Sequence, residues 1–274
     1  MKKAKIDVFR RFESIKAFAE YCNKGTVQKP FVDHQSSQSS DDFSFYGTKN
    51  YSVADMKLLF GDHELLRKIE QSGVYETEAK VHKYMNRRQF VAAHVGFMPH
   101  VSNYVAGAPN AMINMRNVRV PQPVITIGYN TAVSGGISAD EIITATCQMV
   151  SAIIILEAKG YRVNFYAVDH DRTIDGNVGY AVKVKTSGQH LDLLKMAYPM
   201  AHPSMNRRHK FRFEEVTPKV PSSFVYGYGC PVSYESEMKN FFSRNGMKFD
   251  KILCFDMISG LNAEQIIDLI CKEK

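Results

Sequence analysis

Asp169, His170 and Asp171 follow one another at the end of a predicted strand, and Asp256 follows a later one. Carboxylates and an imidazole can together bind a divalent ion. Three adjacent side chains seldom all face one ion, and Arg172 adds a competing charge beside them. The pattern therefore favours a solvated turn, and we predict no metal, no cofactor and no catalytic residue. A metal-dependent hydrolase using Asp169, His170 and Asp256 is the least favoured alternative.

The loop at residues 130–136 is a second place where chemistry could occur. Gly135 and Gly136 precede a predicted helix, and backbone N–H groups at such a position can bind an anion. The loop has neither the G-x-G-x-x-G pattern nor the G-x-x-x-x-G-K-[ST] phosphate loop, so nucleotide binding is not indicated. We predict a flexible connection, and we predict a ligand or interaction site formed by Asn130, Ser134, Gly135, Asp169 and Asp256.

Residues 202–213 combine basic and aromatic side chains. Lysine and arginine neutralise phosphates and aromatic rings stack on unpaired bases, so this segment indicates contact with single-stranded nucleic acid. A smaller patch of the same kind lies at residues 84–90. The alternative is a solvated basic helix end with two Phe residues in the core. The predicted nucleic-acid-binding residues are Arg207, Arg208, Lys210 and Arg212 in the first segment and Arg87 and Arg88 in the second.

The composition is that of a folded protein with a surplus of positive charge. The 274 residues are 45% hydrophobic and carry a formal charge of +7, which allows a sizeable core and favours polyanionic partners. The five cysteines include no C-x-x-C pair, so we expect neither a disulfide framework nor a closed zinc site. No apolar run is long enough to span a bilayer and the start lacks a signal peptide, which predicts a cytoplasmic protein without membrane contact.

Residues 124–129 open the clearest structural pattern, because they are β-branched and apolar like a strand buried on both faces. Ser138 and Glu141 have the spacing of a capping box, and the helix that they begin ends before Gly160. A second strand follows at residues 161–168. Two strands joined by a long helix pair in parallel, so this unit predicts the centre of a parallel sheet.

The alternation of strands and helices continues to the C-terminus and predicts an α/β fold. We expect a mostly parallel, doubly wound sheet over residues 121–274, with a helical and irregular N-terminal part over residues 1–120 packed on it as one compact unit. The first part is expected to have helices at residues 9–21, 53–60 (capped by Ser52) and 63–71, and mostly loop at residues 72–123. The second part is expected to have further strands at residues 180–185, 210–216 and 251–255 and helices at residues 191–201, 233–245 and 262–271.

Short motifs at residues 125–130, 133–140 and 156–163, with weaker ones elsewhere in residues 45–215, resemble an uncharacterised family of proteins from tailed phages and bacterial mobile elements. The same central unit is distantly similar to a von Willebrand factor A domain. Such domains place a D-x-S-x-S metal motif after their first strand, and Asn130, Ala132 and Ser134 stand at the matching positions. The resemblance therefore implies the fold without the metal site.

The residues and the resemblance together lead to one expectation and one alternative. We expect a non-catalytic, phage-type accessory protein in the host cytoplasm that associates with nucleic acid, for example with single-stranded DNA in transcription or replication. The alternative is a von Willebrand-like interaction module, or a virion or assembly component, that binds another phage or host protein and no nucleic acid.

Overall fold

The N-terminal half of the chain forms one strand of the main sheet, a layer of helices and a separate small sheet. A computed structural model describes residues 6–27, 36–39, 43–71, 88–117 and 124–271. The first elements are β1 (Ile6–Phe12), α1 (Ile15–Lys24), α2 (Phe43–Tyr46), α3 (Tyr51–Phe60) and α4 (His63–Ile69). The small sheet comprises β2 (Arg88–Ala93), β3 (Met98–Pro99) and β4 (Met112–Asn117), and the short helix α5 (Val101–Val105) connects β3 to β4.

The second half supplies the rest of the main sheet and most of its helices. It begins with β5 (Val124–Asn130), α6 (Ala139–Ala158), β6 (Arg162–Arg172) and β7 (Gly176–Lys185). A helical segment follows, made of α7 (Leu193–Ala201), a π-helix (Met205–Lys210), α8 (Phe211–Val216) and a 3₁₀ helix (Ser222–Tyr226). The last elements are β8 (Cys230–Pro231), α9 (Glu235–Arg244), β9 (Lys251–Cys254), α10 (Phe255–Ile258) and α11 (Ala263–Cys271).

The main sheet is largely parallel, which confirms the predicted α/β class. Its strands run in the order β1-β7-β6-β5-β9, and β8 pairs with β6. Strand β5 is parallel to both β6 and β9, and β1 is parallel to β7. Strands β6 and β7 are antiparallel, because a short turn joins them, whereas parallel strands need a longer crossover connection such as a helix.

Apolar side chains cover both faces of this sheet. On one face, Ile127 of β5 and Phe165 of β6 pack on α6, α7 and α11, and Tyr180 of β7 packs near α1 and α8. On the other face, Val168 of β6 packs with Phe241 of α9. The helices predicted near residues 191–201, 233–245 and 262–271 are confirmed, and they cover the sheet. The strand predicted at residues 251–255 is also confirmed.

Helix α6 is the central helix of the core. The Ser138 side chain accepts from the N–H of Glu141, and the Glu141 carboxylate accepts from the N–H of Ser138, so the predicted capping box is present. The helix is 20 residues long and apolar enough to cross a membrane by composition, although no such segment was predicted. Most of it is buried within the protein, so packing against the sheet accounts for its apolar character.

Two elements of the N-terminal half differ from the predictions. The helix predicted at residues 9–21 is a strand, β1, followed by α1, whose first turn is capped by the Ser14 hydroxyl. Apolar residues at spacings of three and four fitted a helix although the first of them lie in β1. Helix α3 is capped by Asn50 and not by Ser52, since the Asn50 side chain accepts from the N–H of Val53 at 2.9 Å.

The prediction of a strand at residues 210–216 is also wrong, because this segment is helical. It comprises the end of the π-helix and all of α8. Nearly every residue in it is buried. A segment buried on all sides shows neither the alternation of a strand nor the periodicity of a helix, so its pattern cannot distinguish the two.

Residues 88–117 form a three-stranded antiparallel sheet, where mostly loop was predicted. The strand order is β2-β4-β3. Gly96 allows the chain to approach β4 closely, because a Cβ atom at this position would lie 2.0 Å from the carbonyl oxygen of Ile113. The N–H groups of Phe97 and His100 then donate to the carbonyls of Ile113 and Ala111.

Candidate functional site

The basic segment predicted to bind nucleic acid lies in the interior of the protein. All six residues of its π-helix, Met205–Lys210, are buried. Helices α2, α3, α7 and α8 surround it. A π-helix is rare and often occurs at a functional position. Here it directs successive charged side chains toward several different parts of the chain.

Arg207 fixes the loop after β5. Its Nη1 donates to the carbonyl of Phe45 at 2.7 Å. Its Nη2 donates to three carbonyls of the loop, those of Ser134 at 3.3 Å, Gly135 at 3.4 Å and Ile137 at 3.1 Å. The guanidinium carbon also lies 4.4 Å from the centroid of the Phe45 ring. The loop predicted to be flexible is therefore held by one buried arginine.

Arg208 holds two further segments together. Its Nε donates to the Thr48 hydroxyl at 2.8 Å and its Nη2 to the Thr48 carbonyl at 2.7 Å. Its Nη1 donates to the carbonyls of Ser37 at 2.8 Å and Ser39 at 2.9 Å. The side chain is fully buried, and burial lowers its pKa from the usual value. A planar guanidinium can reach all these acceptors at once, which an ammonium cannot.

Lys210 and Arg212 complete the set. Lys210 Nζ lies 2.6 Å from Asp171 Oδ2 and donates to the Tyr228 carbonyl at 3.1 Å. Arg212 donates to the carbonyls of Cys22 at 3.1 Å and Gly25 at 3.2 Å, where α1 ends. We call residues 205–216 the buried hub, because these side chains connect the sheet to the N-terminal helices.

The predicted nucleic-acid-binding residues are thus split between two places. Arg207, Arg208, Lys210 and Arg212 donate to groups within the protein, so the alternative of a solvated basic helix end is not found in this segment. Contact with nucleic acid through them stays a prediction, and it would require these hydrogen bonds to break. Arg87 lies outside the described residues. The backbone of Arg88 begins β2, opposite Asn117.

Asp169, His170 and Asp171 lie within β6 and not in the predicted solvated turn. Successive side chains of a strand point to opposite faces of the sheet. Asp171 faces Lys210 of the hub, whereas the His170 ring stacks on Phe241 of α9, with 4.1 Å between centroids. All three residues are buried. The alternation of the strand explains why adjacent residues cannot bind one ion here.

Asp169 and Glu214 join Asp171 around Lys210 in a closed cluster. Burial raises the pKa of Asp169 well above its usual value, and the neighbouring Asp171 raises it further. Burial also raises the pKa of Glu214, whose Oε1 lies 3.9 Å from Lys210 Nζ. Burial alone would lower the pKa of Lys210, but the carboxyl groups outweigh it and raise that pKa. The cluster therefore keeps Lys210 charged and favours protonated forms of Asp169 and Glu214.

The residues of the predicted loop site differ in burial and in their hydrogen-bond partners, and the site stays a prediction. Asn130 is buried, and its side-chain nitrogen donates to the Val232 carbonyl at 2.9 Å. Ser134 and Gly135 are exposed. Asp256 accepts a hydrogen bond from the Ser233 hydroxyl at 2.6 Å. In the part of the chain that the structure describes, no group of three or more His, Cys, Asp or Glu side chains could hold a metal ion.

An open groove of about 730 Å³ lies beside this loop. Gly136 and the start of α6 form one wall, and Lys57, Asp62 and His202 form another. Burial raises the pKa of Asp62, but a 2.7 Å ion pair with Lys57 outweighs it and the pKa is lowered. Burial lowers the pKa of His202 to about 3, so its ring is neutral. The groove offers both signs of charge.

Sequence reasoning missed the exposed small sheet. Its strands carry Phe90, which is 68% exposed, and its connecting segment carries Phe97, which is 60% exposed. The signal was available, because no Asp or Glu occurs between Glu78 and Asp140. The same stretch contains six Lys or Arg residues, namely Lys80, Lys83, Arg87, Arg88, Arg116 and Arg119.

The fold and these sites define a mixed α/β protein with a largely parallel sheet, a buried charged hub and a small exposed aromatic sheet. Residues 3–256 match a protein family that is described as a domain of unknown function (DUF7192). The chain belongs to this family. Comparison with curated proteins gave no match, and comparison with solved structures gave none.

Proposed function

We propose that this is a non-catalytic accessory protein, of the phage type and acting in the cytoplasm, that associates with nucleic acid. One observation carries the proposal, which is where the surplus of positive charge lies. Among the described residues, five buried cations (Lys185, Arg207, Arg208, Lys210, Lys251) are equal in number to the five buried acids (Asp62, Asp169, Asp171, Glu214, Glu215), so this set adds nothing to the formal charge. The surplus of +7 therefore belongs to residues outside this buried set.

Most of that surplus comes from one stretch of sequence. The residues between Glu78 and Asp140 supply six positive charges and no negative one. Phosphate groups bind such a region with little repulsion from carboxylates, and the release of their counterions makes the binding dependent on salt. The charge pattern therefore supports a polyanionic partner.

The closed cluster around Lys210 supports the non-catalytic part of the proposal. A catalytic group has to come within hydrogen-bonding distance of its substrate. Asp169, Asp171, Lys210 and Glu214 are all buried, so a substrate would have to displace the hub to reach them.

A salt titration of binding to fluorescein-labelled oligonucleotides tests the proposal. We expect the logarithm of the binding constant to fall linearly with the logarithm of the salt concentration. Replacing Arg87, Arg88, Arg116 and Arg119 by Gln should weaken binding and flatten this slope by about 0.7 for each phosphate of a single strand that the variant no longer neutralises. The matched control replaces four exposed lysines elsewhere in the chain, namely Lys16, Lys159, Lys195 and Lys219. Of these, Lys195 forms an exposed ion pair with Asp192. No measurable binding by the wild type, or equal loss in both quadruple variants, would remove the proposal.

A von Willebrand-like interaction module is the second candidate, and the groove beside the loop after β5 favours it. Ligands of open parallel sheets bind beyond the carboxyl ends of the strands, and β5 has a parallel neighbour on each side. A photo-crosslinking residue at the exposed Ser134 should then give a discrete protein adduct in cells. The same residue at Lys219 is the control, and equal labelling from both positions would contradict this candidate.

A further inference from the structure

The small sheet has one apolar face, which its strand register defines. Phe90 of β2 lies opposite Met115 of β4, and Ala92 lies opposite Ile113. Met98 of β3 also pairs with Ile113. Side chains that are paired or two apart along a strand lie on the same face. The register therefore places these five residues together.

This face is exposed to solvent. Phe90, Met98 and Met115 are all exposed, and the Phe97 ring lies 5.9 Å from the Phe90 ring. The strands of this sheet contact chiefly one another among the described elements. An apolar face of this kind on a soluble domain marks a surface for a partner.

The sheet is held in shape by its own polar contacts. His94 Nδ1 lies 2.7 Å from the Pro109 carbonyl oxygen, and the Asn103 side chain donates to the Asn110 carbonyl at 3.0 Å. The His100 side chain caps α5 by accepting from the N–H of Asn103. The aromatic face is thus presented on a connected framework before any partner binds.

The charge of the segment indicates the chemistry of that partner. Residues 88–117 contain no acid. Arg88 lies opposite Asn117 and Arg116 lies opposite Gln89, so both arginines are at the same end of the sheet. Two copies of this face would bring like charges together, whereas a polyanion with flat apolar groups complements both the charge and the rings. In a duplex the flat faces of the bases are covered by stacking, so unpaired bases are required.

We infer that the face formed by Phe90, Phe97, Met98 and Met115 is a stacking platform for the unpaired bases of a single-stranded nucleic acid, with the phosphates toward the Arg88 and Arg116 end. The inference rests on the proposed association with nucleic acid and names its site and its form. Each ring stacks on one base, and the arginines contribute the dependence on salt.

Binding of labelled oligo(dT) and of a duplex of equal length, measured by fluorescence anisotropy across a salt series, tests the platform. Phe90→Leu and Phe97→Leu keep apolar bulk, so the sheet stays folded, but they remove the flat rings. We expect each to weaken single-strand binding roughly 5- to 150-fold, the range for one stacked base, with an unchanged salt slope. A 2-aminopurine base in the oligonucleotide should be quenched by the wild type and less by either variant. The control is Phe60→Leu, because Phe60 of α3 is 76% exposed and lies outside the platform.

The outcomes separate the platform from the proposed function. Salt-dependent binding that survives both Phe variants within twofold would overturn the platform and leave association with nucleic acid standing. Duplex binding as tight as single-strand binding would do the same. No binding by the wild type in any salt would end both. A dimer in sedimentation that Phe90→Leu dissociates would assign this face to a second copy and overturn the inference.

Discussion

Two parts of the molecule combine basic residues with aromatic rings, and the fold uses them in opposite ways. The buried hub at residues 205–216 turns its cations inward, where each meets carbonyls or carboxylates. The small sheet at residues 88–117 leaves Phe90 and Phe97 in solvent. The difference follows from the acids nearby. Asp171, Glu214 and Glu215 accompany the hub, whereas no acid accompanies the sheet. A buried cation needs carboxylates or carbonyl oxygens as partners, and the fold supplies both around the hub.

The largest expected effect is that of Lys210→Met in the hub. Removing the ammonium leaves Asp171 buried without its counter-charge, and we expect a loss of about 3–5 kcal/mol in the free energy of unfolding. Urea denaturation measures it. Lys16→Met, at an exposed position, should change stability by less than about 0.5 kcal/mol. A small effect of the Lys210 variant would mean that the hub is not held by this ion pair.

Arg208→Lys should cost about 2–3 kcal/mol, because an ammonium keeps the charge but cannot reach the carbonyls of Ser37, Ser39 and Thr48 together. The matched change at an exposed arginine, Arg67→Lys in α4, should leave the free energy of unfolding unchanged in the same urea titration. Equal losses at the two positions would mean that the hub does not depend on the Arg208 guanidinium.

One contribution to the pH dependence of stability should come from the cluster around Lys210. The folded-state pKa values of Asp169 and Glu214 are raised, so the folded protein keeps protons that the unfolded chain releases above about pH 4. This contribution is complete below that pH and is lost as the pH rises toward the folded-state pKa, by up to about 1.4 kcal/mol per pH unit for each group.

The variant Asp169→Asn/Glu214→Gln tests this sign. It should be more stable than the wild type at pH 8, with a smaller gain at pH 5, in urea unfolding at both values. The exposed pair Asp268→Asn/Glu264→Gln is the control and should leave the pH profile unchanged. A wild type whose stability rises with pH relative to the first variant would contradict the raised pKa values.

The smallest expected effect on stability is that of Gly96→Ala in the small sheet. The added Cβ would meet the carbonyl of Ile113 and push β3 from β4. Because the sheet contacts chiefly itself, we expect a change of less than about 0.5 kcal/mol in unfolding of the main core. Oligonucleotide affinity should nevertheless fall. Gly188→Ala, where an added Cβ meets nothing within 4 Å, should affect neither measurement.

The elements that could be predicted are those whose local pattern agrees with their packing. Strand β5 was predicted from its β-branched apolar residues, and helix α6 from its capping box. Strand β6 was predicted because it follows the glycine at which this helix ends. Residues 210–216 could not be predicted, since they are buried on all sides by partners far along the chain. The parallel pairing of β1 with β7 has no local signal either.

The candidate sites were harder to predict for a different reason. The cluster Arg207–Arg212 looks the same in sequence whether its partners are phosphates or its own backbone, and only the fold supplies the carbonyls of Phe45 and Thr48. The prediction of a solvated turn at Asp169–Asp171 could have been avoided by extending the predicted strand through Arg172. The stretch without acids between Glu78 and Asp140 could have been recognised by counting charges over a longer window of sequence.

The pairing of β1 with β7 has a consequence for how the protein is made. Ile6 pairs with Gly176 and Phe12 with Val182. At ribosomal rates of about 5–20 residues per second, roughly 10–30 s pass between the synthesis of these two strands. During that interval the first strand has no edge to join, and its backbone donors remain open to other chains. The exposed Arg10 and Arg11 place charge along β1 before it pairs, and this charge opposes association between nascent chains.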